Sequence, residues 1–567
     1  MSSAYTFIKD LDLSPKPGKI YWKNGHREWR EEFIYFLMVD RFHDDLPRKP
    51  IGPGKVINEG LDNEALKKSC GGTLKGITAN LDYIRDLGCT SIWLSPVFEN
   101  NPQSYHGYAI QDYTRVDPRF GTKEDLTKLV DKAHSMNMRV FLDVVLHHSG
   151  DNWAYPFDKE YFYHKGKSFP FGQWRYHDKP SPNELRNPDL YFRKGQIRNF
   201  DSYPETQEGD FFGLKTFKND NSPEAHFVQD ILTKIHCYWI KETDVDGFRL
   251  DTVKHMGEKA ISIFCSHIRE YAYRLGKHSF FLFGELIGPD KLYNRYIGPK
   301  TSSFKDDTAL YYGLNSVLDF PLFHILSQVI LGKITPKRLI ERYESLRKNA
   351  LTRGEYGEFL VTFIDNHDQV GQFFKSRFGY EASPSQIIAG MGFLLCALGA
   401  PCIYYGTEQG FKGHGSGDWN IREPMFDLTD PEHNALDKNN PIYQGIASLA
   451  KIRNENAVLK FGRMYMRKYS KDGINFQLPL HINCLLAFSR VLYDEEMVIA
   501  YNTSTNLEIE GYITVQREIN PEGSVFRFVF GGKGKIHVLK DEKDSRHFLK
   551  LRLAPTQFVI LSNQPVN

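Results

Sequence analysis

The chain lacks a basic start followed by an apolar run. Its first residues, MSSAYTFIKDLDLSPKPGKIYW, do not read as a secretory signal. It has no stretch of about 18 uncharged apolar residues, so no membrane-spanning helix is expected. An excess of either charge is missing too. Lys and Arg number 72 against 70 Asp and Glu. That balance argues against a nucleic-acid partner held by counterion release, and gives no reason to invoke an anionic membrane surface. Cysteine is scarce and scattered, at positions Cys70, Cys89, Cys237, Cys265, Cys396, Cys402 and Cys484. An odd number, mostly in apolar settings such as FLLCALGAPCIYY, suits free thiols in a reducing cytoplasm, the expected location. Export without a cleavable signal stays open. Internal repeats and low-complexity tracts are absent. Aromatic residues are plentiful at 14%, which suits a large core and, in a sharper reading, flat platforms for sugar rings.

At 567 residues the chain exceeds one ordinary core. Apolar runs that read as strands lie at 33–39, 90–97, 139–146, 245–250, 280–286, 316–321, 359–365 and 401–406. Helical periodicity falls between most of them, at 74–87, 123–137, 223–242, 257–275, 335–348 and 384–398. Strand–helix alternation implies parallel strands, and eight units suggest a closed (β/α)8 barrel, the TIM-barrel architecture of an α/β protein. The gap between the third and fourth strands is too long for a simple crossover. Its surplus, rich in aromatics, Pro and Lys, reads as a small inserted domain. After about residue 462 short strands with turn residues between them suggest an antiparallel β-sandwich. The expected divisions are 1–148 (first part of the barrel with an N-terminal extension), 149–221 (insertion), 222–462 (rest of the barrel) and 463–567 (sandwich).

Chemistry in such barrels sits at the C-terminal ends of the strands. Acids fall there: Asp143, Asp251, Glu285 and Asp368. Histidines accompany them: His106, His148, His255 and His367. In GFRLD, Arg249 and Asp251 point to the same face of one strand, the arginine one layer deeper. A cation there is expected to lower the pKa of Asp251 and keep it a nucleophilic carboxylate. Glu285, in the apolar frame FLFGELIG, is expected to be raised and protonated. One ionised and one protonated carboxyl form the pair that glycoside hydrolysis requires. The His147–His148 doublet has no third ligand at zinc-type spacing, so no metal ligands are expected from it. GGTLKG (71–76) does not match a phosphate-binding loop.

These stretches resemble the α-amylase family of glycoside hydrolases. DVVLHH (143–148), GFRLDTVKH (247–255), FGEL (283–286) and FIDNHD (363–368) are similar to its four motifs in order. NPQSYHGYAIQDY (101–113), NPDLYF (187–192) and GAPCIYYGTEQG (399–410) are similar to further segments. The resemblance implies that Asp251 is the nucleophile, Glu285 the acid/base, and Asp368 the residue that binds the 2- and 3-hydroxyls. It implies that Arg249 orients Asp251, that Tyr108 stacks under the sugar, and that His148 and His367 hydrogen-bond it with His106 nearby. Lys254 and His255 match a pair that contacts leaving-side sugars in members acting on α-1,4 glucans. Asp143 is expected to be structural, bracing Arg249. Carboxyls about 5–5.5 Å apart imply retention of configuration.

One position departs from the pattern. His147 stands where many members have an Asn that binds a structural calcium, and imidazole nitrogen is a poor calcium ligand. No cofactor is therefore required. Backbone carbonyls and the acids of 149–221 are left as donors for any different calcium site. The expected partner is an α-glucan, hydrolysed at α-1,4 bonds. Transfer to a sugar hydroxyl is the alternative on the same fold. A non-catalytic carbohydrate-binding protein is the third reading, disfavoured because all three acids are present.

Overall fold

The computed structural model describes the chain apart from residues 1–4, 24–26, 53–54, 56, 59–60, 158–162, 176–178, 305–306, 354–359, 371–373, 542–544 and 565–567. Residue 359, where the seventh expected run begins, lies outside the described residues. Eight strands form one parallel sheet: β1 (Ile34–Leu37), β2 (Ser91–Leu94), β3 (Arg139–Val144), β4 (Gly247–Leu250), β5 (Phe281–Gly284), β6 (Ser316–Val317), β7 (Val361–Thr362) and β8 (Ala400–Tyr404). Neighbours in space are neighbours in sequence, and β8 pairs with β1. A parallel bridge between Leu318 and Val361 joins the remaining two edges into a barrel.

The outer helices are α1 (Leu74–Ala79), α2 (Leu81–Asp86), α3 (Lys123–Ser135), α4 (Pro223–Thr243), α5 (Glu258–Arg274), α6 (Asp290–Tyr296), α7 (Phe320–Ile330), α8 (Lys337–Arg353), α9 (Pro384–Cys396) and α10 (Pro441–Glu455). Their starts are written locally. Thr122 and Asp125 cap α3 reciprocally, as Ser383 and Gln386 cap α9, and Pro223 follows the Ser222 cap of α4. The expected run at 316–321 needs correction. Only Ser316 and Val317 are strand, and Phe320 already begins α7, with the Asp319 carboxylate accepting from Leu322 N–H. An N-cap and a proline at the second helical position outweigh β propensity there.

Inside the barrel the strands carry aromatic rings. Phe36 stacks on Trp93 with centroids 3.7 Å apart, and Phe283 meets Trp93 edge-on at 5.5 Å. This apolar floor lies directly under the carboxyl cluster. The excursion between β3 and α4 is built from two-residue ladders, 3-10 turns and an aromatic core of its own, with Trp153 and Tyr191 fully buried. A two-stranded ladder, Lys215–Thr216 with His148–Ser149, roots it at the barrel mouth.

After α10 two antiparallel sheets face each other, one of six strands and one of four. Ile509–Thr514 and His547–Leu553, which were not anticipated as strands, form the middle of the smaller sheet. Alternation does the sorting. Leu485, Ala487, Val498 and Ala500 point into the sandwich, while Leu486, Phe488, Met497 and Ile499 point at the barrel and join its core. All seven cysteines are free thiols, and all but Cys70 are buried.

Candidate active site

Strand register creates the site. Arg249 of β4 pairs with Asp143 of β3 and Phe283 of β5, so all three lie at one level. The ladder continues beyond the strands: Asp251 N–H donates to Val144 at 2.9 Å, and Glu285 N–H to Leu250 at 2.8 Å. Asp251 and Glu285 thus stand one layer above Arg249, at the mouth. Arg249 is fully buried, with its guanidinium 5.2 Å from the Trp93 ring centre. Its Nη1 donates to Asp143 at 2.8 and 3.0 Å and to Asp251 Oδ1 at 2.7 Å, and its Nη2 lies 3.1 Å from Glu285 Oε2. One cation serves three carboxyls.

Burial raises all three, and the pull of Arg249 opposes it. Asp143 is pushed up to about 6, Asp251 to about 7 and Glu285 to about 8. This corrects the expectation that Arg249 would hold Asp251 low. The cation acts in that direction, but desolvation is larger, and Asp143 and Asp368 add repulsion. Glu285 is raised further than Asp251, because Asp251 takes a short charge-assisted hydrogen bond from Arg249 whereas Glu285 has only the ion-pair contact. The proton therefore belongs on Glu285. Thr252 N–H also donates to Glu285 Oε2, at 3.1 Å. To do so Thr252 adopts φ 47°, an uncommon left-handed conformation for a β-branched residue.

Asp368 is treated differently. Burial alone would raise it, but His367 and the Arg422 guanidinium outweigh that and hold it below the usual carboxylate range. Arg422 Nη2 donates to Asp368 Oδ1 at 2.5 Å, and its Nε to the His367 carbonyl at 2.9 Å. Arg422 was not anticipated. It lies 54 residues after Asp368, on the loop beyond β8, with no local pattern to mark it.

Tyr108 closes the other side. Its hydroxyl donates to Asp143 Oδ2 at 2.9 Å and lies 2.8 Å from His367 Nε2. Trp93 Nε1 also donates to Asp143, at 3.2 Å. Asp143 is thus saturated by Arg249, Tyr108 and Trp93 within the floor. The loop bearing His106 and Tyr108 is held by Asn100, whose amide donates to Gly107 O at 2.7 Å and accepts from Ala109 N–H at 2.7 Å. Gly107 has φ 92°, and a Cβ there would stand 2.4 Å from the Pro96 carbonyl.

A cleft of about 880 Å³ opens over these groups. Asp251, Glu285, Asp368, Tyr108, His106, His148, Lys254 and His255 line it, as do Phe200, Phe211, Phe212, Trp419 and Arg422. Arg249, Asp143 and His367 lie behind that wall. Burial pushes His106, His148 and His367 down to about 3 and His255 to about 4. They are neutral at neutral pH and supply hydrogen bonds rather than charge. His255 Nδ1 is engaged by Thr206 O at 2.7 Å, and Lys254 pairs with Asp201.

The junction of barrel and excursion is where the resemblance places calcium. His147 is fully buried, its Nδ1 3.2 Å from His148 Nδ1 and its ring against His255 and Phe211. Beside it Asn219 turns its Nδ2 toward three carbonyls, of Gln207 at 3.3 Å, Phe217 at 3.4 Å and His255 at 3.5 Å. Gly257 N–H donates to Asn219 Oδ1 at 3.2 Å, which fixes that orientation. Amide hydrogens thus face the oxygens that a hard cation would need, and the donor set does not fit calcium. Among the described residues, no group of three His, Cys, Asp or Glu side chains is placed to hold a metal ion.

Residues 36–425 match the family model of the α-amylase catalytic domain. The α-amylase of Streptomyces lividans is 30% identical over 91% of this chain and 59% of its own length. The cyclomaltodextrin glucanotransferase of Klebsiella oxytoca is 30% identical over 67% of this chain and 58% of its own. The chain thus spans about three fifths of the length of these two relatives. A crystal structure of the Geobacillus thermoleovorans α-amylase complexed with acarbose superposes with TM-score 0.68. It is 26% identical, over 95% of this chain and 99% of that one. With the motifs in order around one barrel mouth and a family model covering most of the barrel, the chain belongs to the α-amylase family of glycoside hydrolases.

Proposed function

We propose that the protein is a retaining α-glucan hydrolase that cleaves α-1,4 bonds of starch, glycogen or maltooligosaccharides through a covalent glucosyl intermediate. The observation that carries this is the shared guanidinium. Arg249 touches Asp143, Asp251 and Glu285 together, while Arg422 separately neutralises Asp368 across the same cleft. Asp251 attacks the anomeric carbon as a carboxylate. Glu285 gives its proton to the departing glycosidic oxygen, then takes one from the water that releases the sugar. Asp368, kept ionised by Arg422, accepts hydrogen bonds from two ring hydroxyls. These strengthen as the ring flattens toward the oxocarbenium-like state. Tyr108 offers a ring face beside them. Asp143 stays a brace, because its oxygens are already occupied.

The Asp251→Asn variant should keep the wild-type circular dichroism spectrum and lose roughly 10⁴-fold or more of its kcat on soluble starch. A variant with wild-type turnover would refute the assignment. A second reading, transfer to a sugar, draws on Phe200, Phe211 and Phe212, whose apolar surface lines the cleft and offers a seat for an acceptor sugar whose hydroxyl would compete with water for the intermediate. It also draws on the likeness to a cyclomaltodextrin glucanotransferase. Incubation with maltoheptaose separates the two: products longer than the substrate mark transfer, and only shorter ones mark hydrolysis.

A further inference from the structure

The two ends of the cleft over the carboxyl cluster differ. Around the barrel, β4 and β5 lie opposite β8 and β1. Lys254 and Glu285 follow the first pair of strands, Lys67 and Trp419 the second, and all four line the cleft. The β4–β5 end is open, because it shares Asp201, Lys254 and Ile287 with a neighbouring hollow of about 820 Å³. A ridge crosses the β8–β1 end. There the helical turn Asn63–Leu66, after β1, packs on the 3-10 turn Asp418–Ile421, after β8. Asn420 Nδ2 donates to Asn63 Oδ1 at 2.7 Å and joins the two turns. Beside that bond the Lys67 ammonium lies over the Trp419 ring, 4.7 Å from its centre. Both sides of the ridge are anchored from within. Lys67 stands between the carbonyls of Leu66 and Lys68, to which the fully buried Arg41 donates at 2.7 and 3.0 Å. Asp418 takes the Lys375 ammonium at 3.1 Å, and the same ammonium donates to the Asp368 carbonyl. The Trp419 ring rests against Gly417, where a Cβ would come within 2.2 Å of it. The ridge is therefore a fixed part of the cleft, close behind Asp368.

We propose that this ridge is an end-stop, so that the protein cuts an α-glucan a short fixed distance from its non-reducing end and not in mid-chain. This rests on the α-glucan reading above. Glu285 gives its proton to the departing oxygen, so the released part of the chain, with the reducing end, leaves by the β4–β5 end. The glucosyl part held by Asp251 and Asp368 carries the non-reducing end and runs the other way, into the ridge. A chain threaded by its middle would have to pass where Lys67 and Trp419 meet, whereas a chain end fits against them. The two residues thus set the length of the product without approaching the reacting carbon.

The test uses p-nitrophenyl maltoheptaoside, plain and with its non-reducing glucose capped at O4 and O6 by an ethylidene bridge. Products are separated by chromatography. Wild type should release a single short product from the plain substrate from the first minutes. It should cleave the capped substrate about twentyfold more slowly or worse, the cost of a group for which the site has no room. Lys67→Ala and Trp419→Ala, each checked for folding by circular dichroism, should raise the capped-to-plain rate ratio by about fivefold or more. A mixture of early products, equal wild-type rates on the two substrates, or a ratio that either variant leaves unmoved would overturn this inference alone. Failure of wild type to cleave either substrate would overturn it together with the reading it rests on.

Discussion

Arg249 sets the problem at the scale of single residues. A guanidinium on an aromatic floor attracts carboxylates strongly, but it carries one charge and has three claimants. Not all three ionise together at neutral pH. The consequence reaches stability as well as catalysis. Glu285 is lifted from 4.5 to about 8 in the folded protein. Between those values the unfolded chain releases a proton that the folded one keeps, so wild-type stability falls as pH rises through this window. Glu285→Gln removes that term. The variant should therefore gain on wild type by on the order of 1–3 kcal/mol between pH 4.5 and pH 8, read from denaturant melts at each pH. A constant difference across the range would contradict the lifted pKa. Arg422 has the opposite effect on Asp368: a dedicated cation keeps that acid charged throughout.

At the scale of elements, short loops between strand ends and helices carry most of the placement. Asn219 shows how one side chain can join two segments. Its amide gathers carbonyls from the excursion and from the segment after β4, tying the two together. Wild-type melting temperature should be indifferent to chelators. Asn219→Asp turns the amide donor into an oxygen facing three more oxygens. It should lower the melting temperature in chelator and restore it by a few degrees in millimolar calcium, measured by calorimetry. A chelator-sensitive wild type would refute the amide's role. The elements themselves were largely readable from period and capping, within a residue or two at most ends. The sixth strand was not, because two residues of strand followed at once by a capped helix leave no periodic signal. Ile509–Thr514 and His547–Leu553 were missed for a related reason. One face of each points to solvent, and Lys, Arg and Glu interrupt the apolar run.

The whole molecule adds the sandwich. Its larger sheet is apolar on both faces, one toward its partner sheet and one toward α9 and the short helix Ala457–Phe461. Phe488 meets Phe393 of α9 with ring centroids 5.0 Å apart, and Arg490 donates to the carbonyls of Cys396 and Ala397 at the end of that helix. A chain cut after residue 462 would expose this seam of α9 and leave those carbonyls without their donor. It should be recovered aggregated, with light scattering as the measure, whereas Phe488→Ala in the full chain should stay soluble and lose about 3–5 kcal/mol of stability.

What the amino-acid order determined by itself was the placing of acids at strand ends. Period-two alternation puts Arg249 and Asp251 on one face, and the strand–helix rhythm brings Glu285 and Asp368 to the same rim, with Asp143 one layer below. These are local consequences of backbone geometry, so they can be read from one chain. Only the tertiary structure decided which charge answers which. Register set Arg249 level with Asp143, a loop 54 residues downstream supplied Arg422 for Asp368, and an aromatic floor made desolvation larger than the pull of the cation. Electrostatic balance depends on distance and burial, and neither is a property of sequence spacing.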